Sequence, residues 1–209
     1  EWVTPLQLDY RGQSLHEIPP NGQGITAQIA LGILRHFDLA RLDPDGIQSL
    51  HLQIEAMKLA YADAFRYVSD PETRDIDFKM LLDDVYLQQR SELIDPQRAI
   101  KHPSGQPGQG ETVYLTAADS EGRMVSYIQS NFSGFGSGVV VPQTGISLQN
   151  RGSGFTLEPG HPNQVDGGKR PYHTIIPAFV TRDDEPLMSY GVMGGHMQPQ
   201  GHAQMMTRI

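Results

Sequence analysis

Two periodicities that cannot belong to one element meet at Thr112. Upstream, apolar residues recur at helical spacing, with Leu50, Ile54, Met57, Tyr61 and Phe65 on one stripe. Downstream, Thr112–Ala118 and Met124–Ser130 read as strands flanking Asp119-Ser120-Glu121-Gly122-Arg123, which predicts a hairpin. Between the two patterns lie residues 95–111, DPQRAIKHPSGQPGQGE, rich in Pro, Gly and Gln and without a period. That composition reads as an exposed linker. Helices, then a linker, then hairpin-linked strands and a last helix restrict the chain to an α+β sandwich around an antiparallel sheet.

The remaining elements follow from local signals. The turn cluster Pro19-Pro20-Asn21-Gly22-Gln23-Gly24 precedes a helix from Thr26 to about Phe37. A second helix spans about Gly46 to Val68 and is ended by Ser69-Asp70-Pro71-Glu72, and a third is expected over Met80–Ile94. The first half is therefore read as helical. Short strands are expected at Gly138–Val141, Ile146–Gln149, Ile176–Thr181 and Leu187–Met193, with Arg151–Pro171 as loop. Gly194-Gly195 leads into a helix from about Pro199, where proline suits a first turn.

Composition removes several function classes. The 209 residues are 38% hydrophobic and 19% charged, as in an ordinary globular protein. The net charge of −8, with no Lys/Arg cluster, argues against nucleic acid and anionic membranes as partners. No apolar run approaches the roughly 18 residues that span a bilayer. With no cysteine, thiol chemistry, disulfides and cysteine-ligated metals are out, and the compartment stays open. Glu1-Trp2-Val3 does not read as an initiator or a signal peptide, and Met206–Ile209 falls inside an expected helix, so the chain is expected to be part of a longer polypeptide.

Thr112 carries the chemical question. A threonine hydroxyl within a chain has no base built in. At a chain terminus its own α-amino group, with a pKa of about 7.7–8.0, is a base near neutrality. Nucleophile and base then come from one residue, provided that the Glu111–Thr112 bond is cut. The plain alternative is that threonine is favoured in strands and commonly begins one.

Thr112-Val-Tyr-Leu-Thr-Ala-Ala-Asp119-Ser-Glu-Gly122 resembles the start of the small subunit of γ-glutamyltransferases, the glutathione hydrolases. The likeness continues through Ser130–Gly136, Gln149-Asn150, Gly167–Pro171 and Gly191–Gly195, and upstream through Pro19–Gly24 and the helix His51–Phe65. Cephalosporin-acylase-like members share it. The resemblance implies an N-terminal nucleophile hydrolase with an αββα sandwich. Residues 1–95 would be the helical end of the large-subunit region, 96–111 the linker ending at the processing site, and 112–209 the small-subunit sheet region. It further implies self-cleavage between Glu111 and Thr112, with Thr112 as nucleophile and new N-terminus. Ser130 would bond the freed amine, Asn131 would bind substrate, and Gly194 and Gly195 would form the oxyanion hole. No cofactor or metal is implied. The partners would be a small γ-glutamyl or N-acyl substrate and the rest of the same precursor, with a homodimer or a dimer of heterodimers left open.

Departures bear on the substrate. Arg151-Gly152-Ser153-Gly154-Phe155 lacks the acid that transpeptidases place before this Phe to hold the donor's α-amino group. His173-Thr174 stands where the family has a carboxylate-binding Ser pair. Arg151, His173 and Thr174 are therefore expected at the substrate, and the pattern leans toward acylases that cleave glutaryl amides. An inactive relative or fragment, keeping the fold as a binding module, is the alternative. His161, His173, His196 and His202 invite a metal reading, but their spacing fits no zinc signature, so surface or capping roles are expected. "GFGSGVVV" lacks the Lys-Ser/Thr of a phosphate loop and reads as a turn passing near the site. Asp83-Asp84 and Asp183-Asp184-Glu185 read as solvated faces.

Overall fold

Leu6, Leu8 and Tyr10 alternate with polar residues, and they build a strand before any helix. The computed structural model describes residues 2–73, 76–100 and 111–209, and it opens on a hairpin of β1 (Leu6–Tyr10) and β2 (Gln13–Glu17). Arg11 and Gly12 form its two-residue turn, both with positive φ (52° and 78°). That geometry matches the right-handed twist of the flanking strands. The expectation of a wholly helical first half is corrected here.

β2 does not pair onward with its sequence neighbours. It takes β5 (Ala178–Arg182) as antiparallel partner, with Leu15 opposite Val180 and Glu17 opposite Ala178. β5 in turn pairs with β6 (Glu185–Tyr190), giving a four-stranded sheet in the order β1-β2-β5-β6. Asp183 and Asp184 are not merely a solvated face. Both have positive φ (51° and 61°) and turn the chain between β5 and β6.

Helix α1 (Gly24–Leu34) starts two residues before the expected Thr26 and is buried along its whole length. It lies between β1 and β2 on one side and α2 (Ile47–Tyr67), α3 (Asp84–Ser91) and α4 (Gln198–Arg208) on the others. A helix so enclosed needs no polar face, and its sequence is mostly apolar; its buried Gln28 donates to the carbonyls of Leu6 and Leu15. Each fully buried Leu or Ile there contributes roughly 1.5–3 kcal/mol. Closest approach is at Gly32, where a Cβ would lie 2.5 Å from Cδ1 of Leu87 on α3.

The helical stripe on α2 is shifted from expectation. Met57 is buried and Tyr61 and Phe65 pack on the core, but Ile54 is exposed, and Leu52, Ala56, Leu59, Ala60 and Ala64 complete the buried face. The third helix is shorter than Met80–Ile94. Asp83, extended at ψ 135°, caps α3 by accepting from the Tyr86 N–H at 3.1 Å, and Phe78–Leu82 forms a separate 3-10 turn. Asp84 pairs with Arg35 at 2.5 Å, so this acidic pair too has structural partners.

The expected hairpin is present as β3 (Glu111–Ala118) and β4 (Met124–Phe132). Asp119 holds its turn, accepting from the N–H groups of Glu121 and Arg123 and from Arg123 Nε. The ribbon lies against β6. Thr116 bonds Ser189, Ser126 donates to the Tyr190 carbonyl, and the Tyr114 ring sits 2.5 Å from where a Cβ on Gly191 would be. Val113, Leu115, Val125 and Tyr127 are exposed on its other face. The expected strands at 138–141 and 146–149 reduce to one isolated bridge, Val140 with Ser147. Gly136, Gly138, Gln143 and Gly145 all take positive φ there, and such a backbone curls instead of extending.

Candidate active site

Thr112 sits where the β3–β4 ladder slips. Glu111 pairs with Phe132 and Val113 with Gln129, so Thr112 faces two residues, Ser130 and Asn131. An irregularity of this kind bends a strand and re-aims a side chain. Thr112 is half-buried, while Val113 beside it points outward at 65% exposure. Across from it, Ser130 Oγ accepts from the Phe132 N–H at 2.9 Å, and Phe132 itself takes a positive φ of 80°. The Asn131 carbonyl accepts from the Asn150 N–H at 3.2 Å. A Cβ on Gly136 would come within 3.2 Å of Asn131 Cβ, so the glycine-rich turn does pass against this end of β4.

Arg151 ties that strand end to a second segment. Its Nη1 donates to Thr174 Oγ1 at 2.9 Å and its Nη2 reaches the Ser130 carbonyl at 3.5 Å. Its Cζ lies 5.4 Å from the centre of the Phe132 ring. The residue is only 3% exposed, and burial pulls its guanidinium down to about 10. Thr174 is 2% exposed. His173 is pulled down to about 4, first by burial and then by the charge of Arg151. Such a ring favours its neutral form near physiological pH.

Gln23 joins the second segment to a third. Its Nε2 donates to the carbonyls of Thr174 at 2.7 Å and Gly195 at 2.9 Å, and its Oε1 accepts from the Tyr172 hydroxyl at 3.1 Å. Gly194 (φ 137°) and Gly195 (φ 60°) lie in backbone regions that favour glycine, and a 3-10 turn at Gly195–Met197 carries the chain into α4. His196 stacks on Tyr172 (5.8 Å, 15°) and meets the edge of Phe132 (6.2 Å, 79°), while its carbonyl accepts from the Tyr61 hydroxyl. Burial lowers the affinity of its ring for a proton. A surface or capping role is expected from sequence; His196 is half-buried among aromatic rings, and His202 lies inside α4. His202 is fully buried, with Nδ1 2.6 Å from Glu17 Oε1.

The segments thus link Thr112, Ser130, Asn131, Arg151, Thr174 and Gly195 through contacts or strand register, with His173 and Gly194 adjoining. The side chain of Glu111 lies outside the described residues. Sequence reasoning missed Gln23, Tyr172 and Asn21, whose side chain donates to the Pro171 carbonyl at 2.6 Å. Asn21 and Gln23 lie in a motif read only as a turn, and their partners are about 150 positions away. It also missed Asp70, buried beneath Arg170 and accepting from its N–H at 2.8 Å and from Nη2 at 2.8 Å.

Comparison with known proteins bears on the family and the fold. Among curated proteins the chain is 39% identical to the glutathione hydrolase-like YwrD proenzyme of Bacillus subtilis, over all of this chain and 39% of that protein. It is 40% identical to the oxamate amidohydrolase proenzyme of Klebsiella pneumoniae, over 98% of this chain and 38% of that protein. The chain therefore spans about two fifths of the length of these relatives. Among solved structures, the cephalosporin acylase from Bacillus halodurans superposes with a TM-score of 0.91 at 50% identity, covering 100% of this chain and 38% of that one. A family model described as gamma-glutamyltranspeptidase matches residues 1–209. With its ordered motifs, its mixed helix–strand fold and this match along its full length, the chain belongs to the gamma-glutamyltranspeptidase family.

Proposed function

We propose that these residues form the junction of a self-cleaving amidohydrolase or acyltransferase in which Thr112 is the nucleophile. Residues before the junction belong to the large-subunit region and those from Thr112 onward to the small-subunit region. In maturation the Thr112 hydroxyl adds to the Glu111 carbonyl and the C–N bond breaks. The hydroxyl proton passes to the departing nitrogen, and water splits the resulting ester to leave a free α-amine and the Glu111 carboxylate. In turnover that amine takes the hydroxyl proton as the oxygen attacks a substrate amide, and returns it to the leaving amine. Water or an acceptor amine then clears the acyl group. Ser130 holds the amine, Asn131 contacts the donor, and the N–H groups of Gly194 and Gly195 receive the oxyanion, a contribution of roughly 3–4 kcal/mol for one such donor.

The observation that carries this reading is the slip in register that sets Thr112 against Ser130 and Asn131. A second line of support is the progression Thr116 to Ser189 and Tyr114 to Gly191. Extended by one step, it brings Thr112 level with Met193, the residue before Gly194. The oxamate amidohydrolase and acylase relatives lean the donor toward simple carboxylic amides, in line with the missing acid before Phe155.

Mass spectrometry of the full-length protein tests the reading: two pieces, the second beginning at Thr112, are expected. Thr112→Ala should abolish both scission and amide hydrolysis. An intact Glu111–Thr112 bond in every wild-type molecule would count decisively against it.

A further inference from the structure

Five rings form one connected group beside the Gly194-Gly195 turn: Tyr61, Phe65, Phe132, Tyr172 and His196. Tyr61 stacks on Phe65 with ring centres 5.5 Å apart, and Phe65 meets Tyr172 at 5.6 Å. The His196 ring lies against three others, Tyr172 at 5.8 Å, Phe65 at 6.0 Å and Phe132 at 6.2 Å. Offset or edge-on rings at such separations attract one another. Tyr61 and Phe65 belong to α2, before the Glu111–Thr112 bond, whereas Phe132, Tyr172 and His196 come after it.

The His196 ring thereby ties together two parts of the site. Phe132 ends β4, directly beyond the Ser130 and Asn131 that face Thr112. His196 is the first side chain after Gly194-Gly195. A glycine pair has no side chain with which to fix its own peptide planes, and these two take φ values of 137° and 60°. Their N–H directions are set by what surrounds them. The Gly194 carbonyl accepts from the Met197 N–H at 3.2 Å, and the Gly195 carbonyl accepts from Gln23 and from the Gln198 N–H. The next carbonyl, that of His196, accepts from the Tyr61 hydroxyl. The His196 ring adds the contact that reaches the end of β4. Its Nδ1 is buried without a hydrogen-bond partner among the described residues, so the ring acts through its faces and not through a proton.

Resting on the reading in which the N–H groups of Gly194 and Gly195 receive the oxyanion, we propose that His196 is a positioning residue. Its ring, seated between Tyr172 and Phe132, sets the distance from that turn to Thr112. A misplacement of about 1 Å between reacting groups is enough to cost roughly a hundredfold in rate. Because the group of rings begins on α2, the part of the molecule before the cleaved bond braces the oxyanion turn of the part after it.

The test uses the full-length, matured protein with glutaryl p-nitroanilide as donor, and mass spectrometry reads the extent of scission in each variant. His196→Leu removes the flat faces, so kcat should fall on the order of thirtyfold while KM stays within about threefold of wild type. His196→Phe restores a planar ring and should bring kcat back to within about threefold of wild type. A leucine variant with wild-type kcat, or one whose loss falls in KM, overturns the assignment. So does a loss of about tenfold or more in His196→Phe, which would show that the imidazole nitrogens are what matters. Should the leucine variant fail to fold, the phenylalanine variant decides by that same criterion. Cleaved wild-type protein that leaves the donor intact, or Thr112→Ala protein that hydrolyses it, overturns the nucleophile reading instead.

Discussion

Gln23 and Gly195 are joined by a single buried hydrogen bond of 2.9 Å, donated by a side chain that also holds Thr174 at 2.7 Å. The amide is fully buried, and its remaining oxygen accepts from Tyr172. Replacing Gln23 by Leu keeps the volume and strands three polar groups. A stability loss of about 1–3 kcal/mol per orphaned group is expected. Because the Gly194-Gly195 turn loses its tether, kcat should fall about tenfold to a hundredfold with a smaller change in KM. Urea melts and steady-state kinetics on matured protein check both. A variant that is destabilised but has normal kcat would show that the turn is held by other contacts.

Asp70 beneath Arg170 gives a pH prediction with a definite sign. Hydrogen bonds from Arg170 hold this buried carboxyl at about 2, below its usual 3.8. A carboxyl whose pKa is depressed by folding contributes stability that is full above the unfolded value and lost as pH falls toward the folded one. Asp70→Asn should cost about 1–2 kcal/mol at pH 7, allowing for solvent screening of the half-exposed Arg170. Between roughly pH 5 and 2 the gap between variant and wild type should close. Denaturant midpoints measured across that range would reveal it, and a gap independent of pH would refute the assignment.

The Glu17–His202 pair makes a contrasting case, since both side chains are fully buried. Burial pushes the Glu17 carboxyl above its usual range, with His202 opposing that shift. Removing one partner leaves the other buried without its contact, so Glu17→Ala should cost about 3–5 kcal/mol. Glu17→Gln retains an acceptor for Nδ1 and should cost much less. Equal losses in the two variants, by thermal unfolding, would show that packing and not the bond matters. Gly24 reinforces the point, because a Cβ there would come 2.8 Å from Glu17 Cβ.

Gly32→Ala tests the closest helix contact. Its added methyl meets Leu87 at 2.5 Å in a fully buried seam, and overpacking of this kind costs about 1–3 kcal/mol. Leu87→Val should recover part of that loss when the two changes are combined, visible as a favourable coupling in a double-mutant cycle. Strictly additive losses would exclude the steric account.

How far the sequence speaks depends on the range of the interaction. The period of two in Thr112–Ala118 and Met124–Ser130, closed by a turn at Asp119–Arg123, largely set which residues oppose Thr112, so Ser130 was legible. The slip that adds Asn131 was not, because a slip leaves no compositional mark. Leu6, Leu8 and Tyr10 do alternate, but each five-residue strand offers so few apolar positions that a helical reading competes. Val139-Val140-Val141 looks like a strand until its neighbouring glycines take positive φ. Gln23, Glu17 and Asp70 find their partners across 100 to 185 positions, where no spacing rule operates.

The pairing of β2 with β5 has a consequence for how such a molecule is made. One strand of that ladder precedes the Glu111–Thr112 bond and the other follows it, so the sheet closes only after ribosomal synthesis has passed Arg182. While the backbone is whole, closure is a loop-forming step whose rate is independent of concentration. Two pieces translated from separate messages would have to find each other by diffusion. Under the proposed cleavage at that bond, keeping the two parts on one thread until the sheet has formed would make their stoichiometry one to one without any further control.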